Sequence, residues 1–592
     1  MFAPGVLFLA QRGVRLAVPF VLLAVLRRVP GLDVALSHWT WLVLAAASVP
    51  LYGVCCLALR NHRHRREAEA AGARLAPTSD VGKLPGNLDL LIRMQKIWQH
   101  GYPGDGLSDV LDETGPVVNL NPMFENIVLT TCPEHVKEIL ATNFTGFVKG
   151  ERFQLGMSSV LGTGVFNSDG EMWKFHRAMT RPFFSRDRIS HFEIFDRHAE
   201  AVIFRIKQRN RTGYAIDFQD LIGRFTMDSA TDFLFGSSLH SLDANLSFPH
   251  NAIFTRPVSE SANAQQAMQF SSAFNASMLH ISNRARVGWV WPLLEMFRDR
   301  TTDPMKLVSA YIDPIIHQAV QRKQLSTSLT HETKNQEALF EGRTLLDELL
   351  DMTSDFKVLK DETLNILLAG KDTTQWTLTV AVYFLATHPE VNARLRDEIL
   401  EQVGPSRRPT YDDIKDMKFL RAVLNETMRL YPSVPFNVRE SVNATVWPSP
   451  DPNEKPIYIP AGTQTPYSVL LMHRRKDLWG PDAEEFDPDR FLDHRLQKYL
   501  LKNSFQFLPF NAGPRICLGQ QFAYNEMSFI LIRLLQNFSS FSLDQEAFPP
   551  ESRPPAEWAA FPGRKGIELF KPRMHLTMYS EGGMWLKATE AQ

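Results

Sequence analysis

The sequence predicts a mainly α-helical protein with a small β component, preceded by a transmembrane helix. Helical periodicity dominates the chain after about residue 130, whereas short strand patterns gather towards its C-terminal end. An uncharged run of 21 residues, Trp39 to Leu59, is long enough to cross a bilayer. No period of 20–50 residues repeats along the chain, which argues against a solenoid or a propeller.

The composition supports a packed core and excludes several protein classes. Of the 592 residues, 44% are hydrophobic and 22% are charged, so the chain is not disordered, collagen-like or stapled by disulfides. Lys and Arg number 64 against 65 acidic residues, and this balance gives no reason to expect nucleic acid as a partner. Two of the four cysteines, Cys55 and Cys56, are adjacent in an apolar run, which favours a reducing compartment.

Residues 1–66 are predicted to be a membrane anchor, and residues 67–592 the body of the protein. The first segment carries eight arginines against one acid, and an arginine-rich stretch follows the apolar run directly. By the positive-inside rule, the body then faces the cytoplasm. A cleaved signal peptide is the alternative, but no small-residue cleavage site follows Leu59. The apolar stretch 16–26 is too short to cross a membrane alone, and is either an interfacial helix or half of a hairpin.

Within the body, local patterns predict particular elements. A hairpin is expected at 117–131, closed by Asn121–Pro122, and a surface loop at 321–342. Helices are predicted at 191–208, 360–387 and 389–403, and strands at 456–459, 575–579 and 584–587.

The stretch from Phe510 to Gly519 (FNAGPRICLG) is the most informative part of the chain, and an apolar-periodic run, 520–538, follows it. A cysteine at the start of a helix meets the positive end of the helix dipole, which favours the thiolate. Gly513 and Gly519 remove side chains on either side of Cys517, so a flat group can approach the sulfur. Cys517 has no Cys or His at metal-ligand spacing, which excludes zinc and iron–sulfur sites. The pattern indicates a single thiolate beneath a planar cofactor.

The spacing Phe510-x-x-Gly513-x-Arg515-x-Cys517-x-Gly519 resembles the haem-binding loop of the cytochrome P450 superfamily. The resemblance covers roughly residues 80–590, and implies a cytochrome P450-like fold with haem b and with Cys517 as the axial iron ligand. The run 510–523 and the run 431–439 are most similar to the fungal alkane- and fatty-acid-hydroxylating group.

Further motifs appear in the order that the family has them. Ala369-Gly-Lys-Asp372-Thr373-Thr resembles the oxygen-activation motif, which implies that Asp372 and Thr373 are catalytic. The Thr373 hydroxyl is expected to bond the carbonyl of residue 369 and open the helix locally. Residues that the family places around its haem, in addition to Phe510, Cys517 and Gly519, are matched by Trp173, Arg177, Arg439 and Arg515. A structural clamp matching the family's Glu-x-x-Arg and its partner loop is formed by Glu426, Arg429 and Arg490. Asp489 departs from the more common Glu of that loop.

The resemblance implies a monooxygenase that inserts one atom of O₂ into C–H bonds of hydrophobic substrates, namely long-chain alkanes, fatty acids or aromatic hydrocarbons. No dinucleotide fingerprint or flavin domain is found, so electrons are expected from NADPH through a membrane-bound reductase, NADPH–cytochrome P450 reductase, at the endoplasmic reticulum. Two alternatives stay open: a thiolate-haem isomerase or dehydratase acting on hydroperoxides, and a non-enzymatic haem sensor. The expected substrate wall is apolar and comprises Phe147, Phe153, Val165, Phe166, Val434 and Phe436.

Overall fold

Two helices precede the body in the computed structural model, which describes residues 3–26, 37–79, 82–184, 192–253, 260–329, 343–501 and 503–592. They are α1 (Pro4–Leu26) and α2 (His38–Ala70), and both are long and apolar enough to cross a membrane. The predicted transmembrane run 39–59 lies inside α2. Helix α1 is longer than the apolar stretch 16–26, because Gln and Arg are good helix formers and do not interrupt it.

Helix α2 also crosses the predicted boundary at residues 66 and 67 without a break. Its last turn belongs to the body, since Ala68 is buried and packs with Ala73 and Tyr458. The Glu67 carboxylate accepts a hydrogen bond from the Tyr458 hydroxyl at 2.9 Å. Anchor and body are therefore joined by a continuous helix rather than by a loop at this point.

The rest of the described chain is mainly helical. Its first helices are α3 Leu88–His100, α4 Leu107–Thr114, α5 Pro133–Lys137, α6 Glu151–Leu161, α7 Gly170–Thr180, α8 Phe192–Asn210, α9 Phe218–Phe235, α10 Ala262–Val287, α11 Trp291–Leu294, α12 Thr302–Leu329 and α13 Leu345–Met352. The later helices are α14 Phe356–Thr387, α15 Pro389–Gln402, α16 Tyr411–Asp416, α17 Lys418–Leu430, α18 Val469–Met472, α19 Lys476–Trp479, α20 Asp493–Leu496, α21 Gln520–Asn537 and α22 Arg564–Ile567.

The strands are short and form small sheets at the side of the helical body. They are β1 Arg74–Leu75, β2 Val117–Asn119, β3 Val128–Thr130, β4 Phe147–Val148, β5 Ile216–Asp217, β6 Phe436–Ser441, β7 Thr445–Trp447, β8 Ile457–Ile459, β9 Gln464–Ser468, β10 Phe538–Leu543, β11 Pro572–Met574, β12 Met578–Ser580 and β13 Trp585–Glu590. The largest sheet has the order β2-β3-β9-β6-β4, and smaller sheets have the orders β1-β8-β7, β10-β13-β5 and β11-β12.

Helix α14 runs through the centre of the molecule and packs against α9, α17 and α21. It begins where the Asp355 side chain accepts the backbone N–H groups of Lys357 and Val358, as an N-cap does. It ends at Thr387, two residues before Pro389, because the residue before a proline avoids the helical conformation. Most of its residues are buried, so the helix is held by packing on all sides.

The predicted fold class is confirmed, and most predicted elements lie within a few residues of the observed ones. The hairpin at 117–131 is present as the antiparallel pair β2 and β3. The predicted loop at 321–342 is wrong in its first part, because α12 continues to Leu329; positions 330–342 lie outside the described residues. The predicted strand 575–579 is instead mostly the turn between β11 and β12.

Candidate functional site

Cys517 lies on a loop that ends at the start of α21. The Cys517 N–H donates to the Phe510 carbonyl at 3.0 Å, which closes the loop into a compact turn. The Phe510 ring packs 5.0 Å from the Tyr524 ring on α21, and this contact fixes the loop against the helix. The Cys517 side chain is exposed. The sulfur is therefore held in place by the backbone and remains available for a bond.

The surroundings of Cys517 disfavour a free thiolate. Desolvation by the protein raises the pKa of the thiol, although the Gly519 N–H and the Arg177 guanidinium act in the opposite direction. Desolvation therefore opposes the effect of the helix start that the sequence predicts. A metal bound to the sulfur displaces the proton outright.

The two glycines of the loop have different roles. A Cβ at Gly513 would lie 1.8 Å from the Leu140 carbonyl oxygen, and its φ is +68°, so glycine is required there for packing. A Cβ at Gly519 would lie 4.0 Å from the Cys517 sulfur and 3.6 Å from the Phe184 ring. Gly519 therefore borders the sulfur, whereas the role of Gly513 in clearing space beside Cys517 stays a prediction.

Arg515 connects the cysteine loop to the start of α7. Its guanidinium donates to the Asp169 carboxylate at 2.7 Å and to the Ser168 carbonyl at 3.0 Å. It also lies 4.6 Å above the ring of Trp173, which is buried. Burial and the neighbouring Arg439 lower the pKa of Arg515 to about 10. The Nε of Arg515 is buried and has no partner within the described part of the chain.

Lys149 and Arg439 add two further cations beside Arg515. Burial, Arg439 and Arg515 hold the pKa of Lys149 well below its ordinary value, so the three groups face a common region. Arg439 is 3% exposed, and neither it nor Lys149 has a carboxylate partner among the described residues. Asp169 is the carboxylate that contacts Arg515, and its oxygens also accept the N–H groups of Lys149 and Gly150. The region around Arg439 and Arg515 is therefore cationic, and Arg439 lacks an anionic partner in the described part of the chain.

Arg439, which has no anionic partner among the described residues, and the unpartnered Nε of Arg515 match the anionic propionates of haem b, and the accessible sulfur of Cys517 matches its iron. The residues present therefore fit the cofactor that the resemblance implies. Sequence reasoning missed Lys149 and Asp169, because a lone lysine and a lone aspartate in a loop carry no motif of their own.

Arg177 occupies a different place from Arg515 and Arg439. Its Nη2 donates to the Ile516 carbonyl at 2.9 Å, directly before Cys517. Burial lowers its pKa, while the charge of Cys517 opposes that effect. Arg177 thus supports the backbone of the cysteine loop, and its predicted contact with a propionate stays a prediction.

The oxygen-activation motif lies in the middle of α14. The Thr373 hydroxyl donates to the Ala369 carbonyl at 2.6 Å, as expected, but the helix stays continuous and does not open there. The Thr373 carbonyl accepts the hydroxyls of Thr377 and Ser433. A Cβ at Gly370 would lie 3.7 Å from the Cβ of Ala230, with no other described residue outside the helix within 4 Å. This part of the helix surface is therefore bare.

Asp372 is not a free acid. It is buried and forms an ion pair with Lys371, whose ammonium also donates to Asn275 at 3.0 Å. His575, at the turn between β11 and β12, lies within electrostatic reach of both; burial lowers its pKa to about 4, so its ring is neutral at pH 7. Any proton that passes through Asp372 must therefore leave or enter an existing ion pair.

The structure brings the predicted clamp together. Arg429 binds Glu426 with two nitrogens, at 2.6 and 2.8 Å, and neither side chain is exposed. The Nε of Arg490 lies 3.5 Å from Glu426, but its shorter contact is with Asp482, at 2.9 Å. Asp489 instead pairs with Arg394 at the surface and takes no part in the contact with Glu426.

His473 links this clamp to the cysteine loop. Its Nε2 accepts the Leu508 N–H at 2.9 Å, its Nδ1 lies 3.2 Å from the Arg429 carbonyl, and its own carbonyl accepts from Arg429. Burial, with a smaller contribution from Arg429, lowers the pKa of His473 to about 3. A neutral histidine is therefore built into the connection, and no sequence motif signals it.

The predicted substrate wall is only partly assembled. Phe147 packs into the sheet against Trp447, with ring centroids 6.3 Å apart, so its place in the wall is wrong. The 165–166 segment, in contrast, is held against α14: the Val165 N–H donates to Glu362 and the Phe166 N–H to Asn365, both at 3.0 Å.

The chain matches the sequence model of the family "Cytochrome P450" over residues 83–564. It is 34% identical to cytochrome P450 52A3-A of Candida maltosa over 527 residues, which cover 87% of this chain and 94% of that protein. It is 36% identical to cytochrome P450 52E1 of Candida apicola over a stretch that covers 70% of this chain and 75% of that protein. It is 35% identical to cytochrome P450 monooxygenase himC of Aspergillus japonicus over a stretch that covers 73% of this chain and 70% of that protein. Together with the cysteine loop and its cationic surroundings, these matches show that the chain belongs to the cytochrome P450 family.

Proposed function

We propose that this haem-thiolate monooxygenase hydroxylates unactivated C–H bonds of long aliphatic substrates, alkanes or fatty acids. The observation that carries the proposal is the position of Asp372 and Thr373 on the central helix α14, next to the bare surface at Gly370, with Asp372 paired to Lys371. Two polar side chains there serve proton delivery, which an oxygen-activating enzyme needs and a haem sensor does not. The resemblance of runs 431–439 and 510–523 to the fungal hydroxylases supports the aliphatic substrate.

Haem b, when bound, supplies the iron at which O₂ is activated, with electrons that originate from NADPH. In this proposal Cys517 ligates the iron, and the cations Arg439, Arg515 and Lys149 balance the propionates. Trp173 supports Arg515 through its ring, and Arg177 holds the backbone next to the cysteine. Thr373 places a hydroxyl on the bare surface of α14, and Asp372 exchanges protons through its pair with Lys371.

The proposed electron donor is NADPH–cytochrome P450 reductase, and the proposed location is the endoplasmic reticulum membrane. Helix α2 is the anchor, with its arginines on the cytoplasmic side together with the catalytic domain. The lack of a dinucleotide fingerprint in the sequence supports a separate donor.

The proposal is tested with the purified holoenzyme, the reductase and a series of alkanes and fatty acids. We expect a shift in the haem spin state on binding, and hydroxylated product that requires both NADPH and O₂. Turnover of a fatty-acid hydroperoxide without NADPH, with no NADPH-dependent product, would instead support the isomerase or dehydratase alternative.

The ligand assignment has its own test. Cys517→Ala should abolish the long-wavelength Soret band of the reduced CO complex, because no thiolate remains to bind the iron. Cys132→Ala is the matched control, since Cys132 is buried next to Glu134 and away from the loop. A retained band in Cys517→Ala would show that another residue is the ligand.

A further inference from the structure

The first turn of α1 is in close contact with the body of the protein. A Cβ at Gly5 would lie 2.4 Å from the Cα of Met296 and 2.7 Å from the carbonyl oxygen of Pro292. Only glycine permits this approach of the two backbones, because any side chain would overlap with backbone atoms. Gly5 is itself buried. The contact therefore depends on one specific residue of the helix.

The next turns of α1 continue the same contact. The Phe8 ring lies 5.8 Å from the indole of Trp289, and the guanidinium of Arg12 lies 4.8 Å above that indole. A cation over an aromatic face is stabilised, and more so where water is scarce. The guanidinium of Arg12 is thus bound at the surface of the body, so its charge is not placed in the lipid interior, where it would be costly.

Helix α2 reaches the body at its opposite end. The contacts lie near its C-terminus, where Glu67 binds Tyr458 and the Arg60 guanidinium donates to the Phe124 carbonyl at 2.5 Å. Helices α1 and α2 also pack against each other. Since α1 touches the body at its start and α2 touches it at its end, the two helices run antiparallel, with the body at the open end of the pair.

The second half of α1 is apolar and not covered by protein. Residues 16–26 contain no charge, and several of the side chains are exposed by 38–59%: Val18, Phe20, Val21, Leu22 and Val25. An uncovered apolar face of this kind is stable only against lipid or another apolar surface. Lipid is the occupant here, because the face continues onto α2, whose apolar run is equally uncovered.

We propose that α1 and α2 form a helical hairpin that enters the bilayer from the side on which the catalytic domain lies. The start of α1 then stays on that side, clamped through Gly5, Phe8 and Arg12 to residues 288–296. The proposal rests on the proposed membrane anchoring by α2. It also places the exposed side chains Leu294 and Phe297, which are 57% and 86% accessible, at the lipid surface.

The first experiment determines on which side of the membrane each hairpin end lies. Single cysteines are introduced as Ala3→Cys and Ser37→Cys in full-length protein carrying Cys55→Ser and Cys56→Ser, and sealed microsomes are treated with a membrane-impermeant maleimide. We expect Ala3→Cys to react without detergent and Ser37→Cys to react only with detergent. A cysteine at position 3 that needs detergent overturns the hairpin, whereas reaction at position 37 without detergent overturns the membrane anchoring itself.

The second experiment tests the clamp with a matched pair of substitutions. Gly5→Val removes the close contact, whereas a Cβ at Gly13, in the same helix, would meet nothing within 4 Å. Both variants replace a glycine of α1 by valine, so the intrinsic change in helix propensity is the same in each. In sealed microsomes, trypsin cleavage after Arg12 should be several-fold faster in Gly5→Val and unchanged in Gly13→Val. Equal rates in the two variants would show that α1 is not clamped to the body.

Discussion

The Nδ1 atom of His176 lies 2.8 Å from Oε2 of Glu362, and neither side chain is accessible to solvent. The contact joins α7, which carries Trp173 and Arg177, to α14, which carries the oxygen-activation motif. The same carboxylate accepts the N–H of Val165. A single buried carboxylate on α14 therefore contacts both α7 and the segment that precedes α7.

The contact between His176 and Glu362 leads to a stability prediction. His176→Ala should lower the free energy of unfolding by about 1–3 kcal/mol, because it removes a fully buried ring that contacts the Glu362 carboxylate. Glu171→Ala, on the same helix, removes only an exposed pair with Lys174 and should change the free energy of unfolding by less than about 1 kcal/mol. Denaturant unfolding of the two holoenzyme variants measures the difference. Equal values would mean that the pair does not connect the two helices energetically.

Thr373→Ala should uncouple the reaction without disturbing the cofactor. Haem content and consumption of NADPH should remain close to wild type, because Thr373 touches neither Cys517 nor the cationic cluster. Product per NADPH should fall and hydrogen peroxide should appear instead, since proton delivery by a positioned group is worth about 10²–10⁴ in rate. Thr373→Ser keeps a hydroxyl and should retain coupling. Unchanged peroxide in Thr373→Ala would assign this residue to helix packing.

Asp372→Asn should act on a different step. The amide cannot carry a proton and no longer pairs ionically with Lys371, so overall turnover should slow while product per NADPH changes less than in Thr373→Ala. Solvent deuterium isotope effects on turnover measure the proton step directly. A coupling loss equal to that of Thr373→Ala would place both residues in one function.

The clamp should be sensitive to geometry as well as to charge. Arg429→Lys keeps the cation but loses the two-pronged contact with Glu426 and the carbonyl contacts, so we expect a loss of about 1.5–3 kcal/mol in unfolding free energy and reduced haem content. Arg394→Lys changes the exposed pair with Asp489 and should cost less than about 1 kcal/mol. Full haem incorporation in Arg429→Lys would contradict a role of the clamp in holding the cysteine loop.

Because His473 is buried in its neutral form, we expect the folded protein to lose stability in acid. The pKa of His473 is about 3 in the folded protein, against about 6.5 in an unfolded chain. The unfolded state therefore binds more protons between these values, and the contribution of neutral His473, complete above pH 6.5, is lost as the pH falls towards 3. The slope from this one group reaches about 1.4 kcal/mol per pH unit.

The comparison of His473→Gln with wild type measures that slope. The variant should be less stable at pH 7, yet its unfolding free energy should fall less steeply between pH 6.5 and 4. His494→Gln is the control, because His494 is exposed and its replacement should leave the wild-type slope. Parallel profiles for His473→Gln and wild type would show that other groups cause the acid sensitivity.

Local patterns were sufficient for the fold class, the long helices and the motif positions. Helix α14 was predicted to within four residues at its start because its apolar periodicity is a local signal, and the four residues that were missed follow the Asp355 cap. The loop predicted at 321–342 was wrong in its first part because polarity alone does not end a helix that packs on one face. The clamp residues Glu426, Arg429 and Arg490 were identified only through the resemblance to the family, because a Glu and an Arg three positions apart are common on helices.

The chemistry available to this protein follows from residues that are near each other in the chain: the cysteine loop, the Asp372–Thr373 pair, the charge-free run of α2 and the arginines after it. The contacts between distant residues, such as Arg515 with Asp169, His473 with Leu508 and Gly5 with Met296, are visible only in the folded protein. Such contacts depend on how whole helices pack, and the free energy of that packing is summed over many residues, so no short pattern in the sequence records it.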